Sequence, residues 1–163
     1  MFEWTEEGII IEADQRHAEL IVQDLGLNDK TKAVSTPGLK EKGNEEEEEE
    51  LPSNLATMYR ANVARGNYLT QDRSDIQFAT KELSRKMSKP CNEDWQKLKR
   101  LARYLTDKTR SRTLFQYQEL PSHLEIYVDT DFAGCSKTRK STSGGVAKYG
   151  EHLFKTWVQR KAS

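Results

Sequence analysis

The stretch SHLEIYVDTDFAGCSKTRKSTSGG, residues 122–145, decides how the C-terminal part of the chain folds. Apolar and polar residues alternate from Leu124 to Val128, the period-two pattern of a β-strand with two different faces. Asp129 and Asp131 continue the polar face, and a basic loop and two glycines follow. The predicted strand therefore ends in two carboxylates beside a cluster of positive charge, an arrangement that calls for a chemical reason.

The strand pattern continues on both sides of this stretch. LFQYQ, after Arg112, reads as a strand, and GGVAKYG and HLFKTWV read as two more, joined by a tight turn at Gly150-Glu151. The tail is therefore predicted to be an antiparallel meander of about three strands. Upstream, over residues ~53–107, apolar residues recur at helical spacing instead. The predicted fold class is α/β (α+β), with a helical segment followed by antiparallel strands.

Local signals indicate where the helices begin. Asp14 is predicted to cap a helix that runs to Leu25, and Ser74 with Gln77 is predicted to form a capping box. Asn92 is predicted to cap a further helix. Its inward face is predicted to carry Trp95, Leu98, Leu101, Ala102 and Leu105.

Charge is distributed unevenly along the chain. Residues 1–52 hold 5 Lys/Arg and 15 Asp/Glu, whereas residues 53–163 hold 21 Lys/Arg and 11 Asp/Glu. A basic C-terminal part is what a contact with nucleic acid requires. The alternative is that these charges form solvated helix faces. Six consecutive glutamates, residues 45–50, indicate a solvated linker because adjacent like charges repel.

Other features bound the class of protein. No apolar run is long enough to span a membrane, and the N-terminus does not resemble a secretory signal. Cys91 and Cys135 have no metal-type spacing, which favours a reducing compartment. We therefore expect an intracellular protein, in cytoplasm or nucleus, with no membrane partner.

Four motifs occur in an order that resembles a known family. They are VSTP (34–37), YRANVARGNYLTQDRSDIQFA (59–79), W-x-x-LKRLARYL (95–105) and the D-x-DFAGC…RKSTSGG stretch (129–145). Together they resemble the Pol polyprotein of copia-type long-terminal-repeat retrotransposons. The resemblance covers nearly the whole chain apart from the Glu-rich insert.

The resemblance implies three segments. Residues 1–52 correspond to a C-terminal segment of the reverse transcriptase with an acidic linker. Residues 53–112 correspond to a helical segment like a thumb or connection. Residues 113–163 correspond to part of a ribonuclease H-like domain, whose first antiparallel strands they would form. The parent protein would copy RNA into DNA and cleave the RNA strand of RNA–DNA hybrids.

The resemblance also implies a site. In ribonuclease H enzymes the first strand carries an aspartate that binds catalytic Mg²⁺, and Asp129 falls on that position. Hydrolysis with two metals needs carboxylates that hold both ions. Basic residues predicted to contact the sugar-phosphate backbone are Lys97, Arg100, Arg103, Lys137, Arg139 and Lys140. The implied partner is an RNA–DNA hybrid or other nucleic acid, bound weakly, and no small-molecule cofactor is expected.

Departures from the family pattern matter equally. The chain has no adjacent Asp pair, and Tyr127-Val128-Asp129-Thr130 is not the polymerase signature because Thr130 takes the second aspartate's place. The family's catalytic Glu helix and a further Asp-bearing strand would follow KTWVQRKAS. We therefore expect a fragment that is inactive alone and holds no Mg²⁺ tightly. The alternatives are a non-catalytic nucleic-acid-binding module and the product of a decayed reading frame.

Overall fold

The computed structural model of the chain describes residues 1–28, 30–38, 49–131 and 141–160. The chain divides into two compact units. The helical unit comprises Ala13–Ser111, and the strand unit combines Met1–Glu12 with Arg112–Ser163. No helix among the described residues combines the length and apolar character needed to cross a membrane.

The described residues of the helical unit form four α-helices and one 3-10 turn. In chain order these are α1 (Arg16–Asp24), α2 (Ser53–Leu69), the 3-10 turn Ser74–Ile76, α3 (Gln77–Ser84) and α4 (Asn92–Thr106). The apolar stripe of α4 is buried as predicted, with Leu98, Leu101, Ala102 and Leu105 inaccessible to solvent and Trp95 packed against them. They share one core with Tyr59 and Val63 of α2 and Ile21 of α1.

Three predicted helix starts are wrong in detail. Gln15, not Asp14, is the N-cap of α1, and the Asp14 carboxylate instead accepts a 2.9 Å hydrogen bond from the Arg16 N–H.

The other two differences concern the starts of α4 and α3. Cys91, not Asn92, is the N-cap of α4. The Asp94 carboxylate accepts hydrogen bonds from the Cys91 backbone N–H and from its thiol, each 3.0 Å long. The predicted capping box at Ser74 does not form, because Ser74 lies in the 3-10 turn and α3 begins only at Gln77.

The end of the glutamate run belongs to the helical unit. Glu50 forms an isolated antiparallel bridge with Cys91, and its carboxylate pairs with Lys89. The Glu49 carboxylate accepts a hydrogen bond of 2.8 Å from the Asn92 side chain. These two glutamates therefore anchor the chain beside the start of α4, whereas residues 45–48 lie outside the described residues.

A buried arginine ties the 3-10 turn to the end of α4. Arg73 is only 2% exposed. Its guanidinium donates two hydrogen bonds to the Asp75 carboxylate, at 2.9 and 2.8 Å, and a third of 2.9 Å to the Lys108 carbonyl. Tyr104 donates a further 2.8 Å bond to Asp75. Because a buried cation is costly without partners, this network fixes the chain on both sides of α4.

In the strand unit, the residues that the structure describes form two three-stranded antiparallel sheets. The first has the order β1 (Phe2–Trp4), β2 (Gly8–Glu12) and β3 (Arg112–Gln116). The second has the order β4 (Leu124–Asp131), β5 (Thr142–Tyr149) and β6 (His152–Arg160). The second sheet forms a three-stranded meander as predicted, with β5 in its centre, but the strand predicted at LFQYQ is β3 and pairs with β2 in the first sheet instead. The order and directions of the second sheet are those expected for the opening strands of a ribonuclease H-like fold, and the predicted mixed α/β class is confirmed.

Gln118 holds the turn between β5 and β6. Its amide nitrogen donates to the Tyr149 carbonyl at 3.0 Å, and its amide oxygen accepts from the Glu151 N–H at 2.9 Å. The turn needs Gly150, whose φ of 60° lies in the left-handed region that other residues rarely adopt. The predicted Gly150-Glu151 turn is thereby confirmed and its anchor identified.

Replacing Arg73 by Ala should strongly destabilise the helical unit. The change removes three hydrogen bonds and leaves the partly exposed Asp75 without its cation, so we expect the free energy of unfolding to fall by about 2–3 kcal/mol. Urea denaturation followed by circular dichroism measures this. Arg16→Ala, at an exposed position of α1, is the control and should change stability by less than about 0.5 kcal/mol. Equal effects of the two changes would contradict the role of Arg73.

Asp75 should make stability sensitive to acid. Burial acts to raise the pKa of Asp75, but the hydrogen bonds from Arg73 and Tyr104 outweigh it and hold that pKa below its ordinary value of 3.8. A lowered folded pKa means that the stabilisation is present above the ordinary value and is lost as pH falls through the folded one. Asp75→Asn should therefore be less stable at neutral pH, with a shallower stability loss below about pH 4. Asp72→Asn, at an exposed position, is the control. Urea denaturation at several pH values should show the same dependence of stability on pH as in the unmodified chain.

Candidate functional site

The two aspartates of β4 lie on one face of the second sheet. Asp129 is paired with Gly144 of β5, which is paired with Val158 of β6, so these three residues share a row across the sheet. Asp131 is paired with Thr142 in the next row. Both aspartates are exposed. The alternation predicted from the sequence therefore brings both carboxylates to one accessible face.

The polar face of β4 continues from the aspartates to Tyr127 and Glu125. The Tyr127 hydroxyl donates a 2.7 Å hydrogen bond to the Glu125 carboxylate. This bond lowers the pKa of Glu125 and raises the pKa of Tyr127. His123 lies 3.6 Å from the same carboxylate. Glu125 is thus engaged by its own strand neighbours and is separated from Asp129 by the Tyr127 position.

The glycine pair of β5 serves the two faces of the sheet differently. A Cβ on Gly145 would lie 2.0 Å from the nearest ring carbon of Trp157, so the absence of a side chain there makes room for the indole. A Cβ on Gly144 would meet only the Trp157 carbonyl oxygen, at 3.7 Å, which is ordinary van der Waals contact. Gly144 is on the face of Asp129 and Gly145 is on the opposite face.

This face offers metal ligands from a single strand, which limits how many ions it can hold. Residues two apart on a strand are separated by ~7 Å, while paired catalytic ions are about 3.5–4 Å apart and must be bridged from several sides. The described residues contain no group of three or more His, Cys, Asp or Glu side chains able to hold an ion. Asp129 and Asp131 can supply individual ligands, and Mg²⁺ accepts such carboxylates while retaining much of its water.

The three predicted nucleic-acid contacts on α4 make contacts within the helical unit. Lys97 pairs with Glu93 one turn earlier, with 3.1 Å between nitrogen and oxygen. Arg100 donates a 2.7 Å hydrogen bond to the Thr36 hydroxyl. Arg103 donates a 2.9 Å bond to the Lys32 carbonyl. The two arginines therefore attach the segment containing VSTP to α4.

Further basic residues of the helical unit also form hydrogen bonds or ion pairs within that unit. Arg60 donates hydrogen bonds to the carbonyls of Met87, at 2.7 Å, and Ser88, at 3.2 Å, just beyond α3. Arg65 forms an ion pair with Asp24 at the end of α1. Much of the positive charge counted in the sequence thus satisfies carbonyls and carboxylates of the same unit.

The candidate residues are divided between regions of the chain. Asp129 belongs to the strand unit, whereas Lys97, Arg100 and Arg103 belong to the helical unit. The predicted basic loop lies outside the described residues, and it contains Lys137, Arg139 and Lys140. The separate roles of Gly144 and Gly145 were not predicted from the sequence, because only the register of β5 with β6 reveals which glycine faces Trp157.

Comparison with known proteins gives three informative relatives. The uncharacterized mitochondrial protein AtMg00810 of Arabidopsis thaliana is 30% identical over 154 residues, covering 90% of this chain and 59% of that protein. The retrovirus-related Pol polyproteins from the Arabidopsis thaliana transposons RE2 and RE1 are 33% and 35% identical over 105 residues. These two matches cover 64% of this chain and 7% of each polyprotein. The chain therefore spans less than two thirds of the length of these relatives.

No family model matches the chain, and no solved structure matches it significantly.

Gly145→Ala should destabilise the second sheet. The added methyl group would overlap the Trp157 ring, so the indole must leave its position or the strands must separate. Overpacking of this kind costs about 1–3 kcal/mol. Thermal denaturation should show a lowered Tm, and the tryptophan emission maximum should move towards that of a more exposed indole. A variant with unchanged Tm and emission would contradict the packing of Trp157 on Gly145.

Proposed function

We propose that this chain, a homologue of the Pol polyproteins of copia-type retrotransposons, spans the end of a reverse transcriptase and the opening strands of a ribonuclease H domain. In that parent protein the strand unit would help to hydrolyse the RNA strand of an RNA–DNA hybrid. The observation that carries the proposal is Asp129, exposed on β4 of an antiparallel meander in a chain homologous to retrotransposon Pol polyproteins.

Asp129 is the proposed Mg²⁺ ligand. Its carboxylate is accessible, and pairing with β5 along the whole of β4 fixes the strand that carries it. Mg²⁺ bound there would polarise a phosphate oxygen and activate water, provided that other carboxylates complete the site. A rigid strand is a good support because a two-metal reaction tolerates little displacement of its ligands. Asp131 lies one row further along the same face and is the less favoured candidate for the Mg²⁺ ligand.

This chain alone is proposed to be inactive. Its sequence contains no adjacent Asp pair of the polymerase type. Asp129 and Asp131, both on β4, cannot surround two ions from one strand. The purified chain is therefore expected neither to extend a primer nor to cleave a hybrid.

A non-catalytic nucleic-acid-binding module is the alternative function. The helical unit is less suited to it than its charge suggests, because Arg100 and Arg103 already hold the segment that contains Thr36 and Lys32. The loop of residues 137–140 remains the proposed basic contact. In the sequence these residues follow the strand that carries Asp129, and a phosphate contact by them would be compatible with the hydrolytic function as well.

Asp129 can be tested in a chimera. We would replace the opening three strands of an active ribonuclease H by residues 124–160 of this chain and measure Mg²⁺-dependent cleavage of the RNA strand in a hybrid. Asp129→Asn should lower the rate by about a hundred-fold or more, because it removes a ligand of the two-metal site. Asp131→Asn is the matched control and should leave most of the activity. Cleavage that survives Asp129→Asn but is lost in Asp131→Asn would show that Asp131, and not Asp129, is the metal ligand.

Hybrid binding by the unmodified chain should be weak and strongly salt-dependent. Phosphates would supply most of the attraction, so log Kd should rise linearly with log salt concentration. Reversing Lys137, Arg139 and Lys140 to Glu should weaken binding and reduce that slope by about one for each lost phosphate contact. Fluorescence anisotropy with a labelled hybrid measures both. Salt-independent binding would refute a phosphate contact.

A further inference from the structure

Gly144 occupies a position in β5 where packing within the chain does not require a glycine. A Cβ built there meets only the Trp157 carbonyl oxygen, at 3.7 Å, and the backbone is not in the left-handed region reserved for glycine. Gly145, the next residue, shows the opposite case, since its Cβ would overlap the Trp157 ring at 2.0 Å. Packing accounts for one member of the glycine pair and leaves the other unexplained.

A glycine inside a strand normally weakens it. Glycine loses more backbone entropy on folding than other residues and offers no side chain to its cross-strand neighbours. β5 is the central strand of its sheet, and Gly144 is paired on both sides, with Asp129 and with Val158. The strand therefore bears this weakness at its middle, where a β-branched residue would be favoured.

The bare position lies beside the proposed metal ligand. Gly144 and Asp129 are directly paired, and side chains of directly paired residues in an antiparallel sheet stand on the same face. Along β5 the next residues on that face are Thr142 and Val146. Gly144 therefore leaves one position of this face without a side chain, directly beside Asp129.

Resting on the function proposed above, we infer that Gly144 is a positioning residue for the substrate. Its lack of a side chain lets the sugar-phosphate backbone of the nucleic-acid strand come down onto the sheet beside Asp129. Close approach of a ligand to a backbone is a recurrent reason for glycine within a strand. A side chain at this position would hold the phosphate away from the carboxylate, and from any ion that the carboxylate holds.

Gly144→Val tests the inference because it should weaken hybrid binding without lowering the stability of the chain. Valine fits the open position and favours the strand, so the Tm should stay the same or rise. Affinity for a labelled RNA–DNA hybrid, measured by anisotropy in Mg²⁺ at low salt, should fall by about ten-fold or more. Gly144→Ala should have a smaller effect in the same direction, and it remains informative if the valine variant does not fold.

Ser143→Val is the matched control. It places the same side chain on the adjacent residue of the same strand, but on the opposite face, and should leave hybrid affinity unchanged. If both Gly144 variants bind the hybrid as tightly as the unmodified chain, this inference is overturned but the proposed function is not. A loss of affinity in Ser143→Val equal to that in Gly144→Val would also overturn it. If the unmodified chain does not bind the hybrid, both this inference and the proposed nucleic-acid contact are overturned.

Discussion

The register between β4 and β5 is the constraint on which the candidate site depends. Eight consecutive residue pairs, from Leu124 with Tyr149 to Asp131 with Thr142, fix which side chains share a face. Because side chains alternate with a period of two, a slip of one residue would move Asp129 to the opposite face of the sheet. The same register places Gly144 beside Asp129, and the pairing of β5 with β6 seats Trp157 over Gly145. The Asp129 carboxylate, the bare position at Gly144 and the Trp157 indole are thus positioned by the two backbone pairings that β5 makes within one sheet.

Several arginines of the helical unit stabilise that unit itself. Arg73, Arg100 and Arg103 each donate to a carbonyl, hydroxyl or carboxylate group elsewhere in the unit. A guanidinium with several donors in one plane suits this task, since it can satisfy groups on two segments at once. Net charge over a segment is consequently a poor measure of a nucleic-acid surface here. The strand unit, with Asp129 on an open face, is the stronger basis for a functional assignment.

Periodic patterns predicted much of the fold. The stripe from Leu98 to Leu105 is buried in α4, and the alternation from Leu124 onwards forms β4. Such signals are local, because each residue's contribution is set by its own helix or strand. Helix starts were harder to predict. Its residue type favours Asn92 as an N-cap, but Cys91 takes that place because the Asp94 carboxylate accepts hydrogen bonds from both the N–H and the thiol of Cys91.

The sequence by itself determined the order of helices and strands, the face on which Asp129 lies, and the homology to Pol polyproteins, because period and motif are properties of short segments. Only the tertiary structure decided the pairing of β2 with β3, which joins Gly8 to Gln116, far away in the chain. It also decided the internal partners of the arginines and the different surroundings of Gly144 and Gly145. These depend on which distant segments come together, and a chain's local pattern does not specify the partner of a strand edge or of a long, charged side chain.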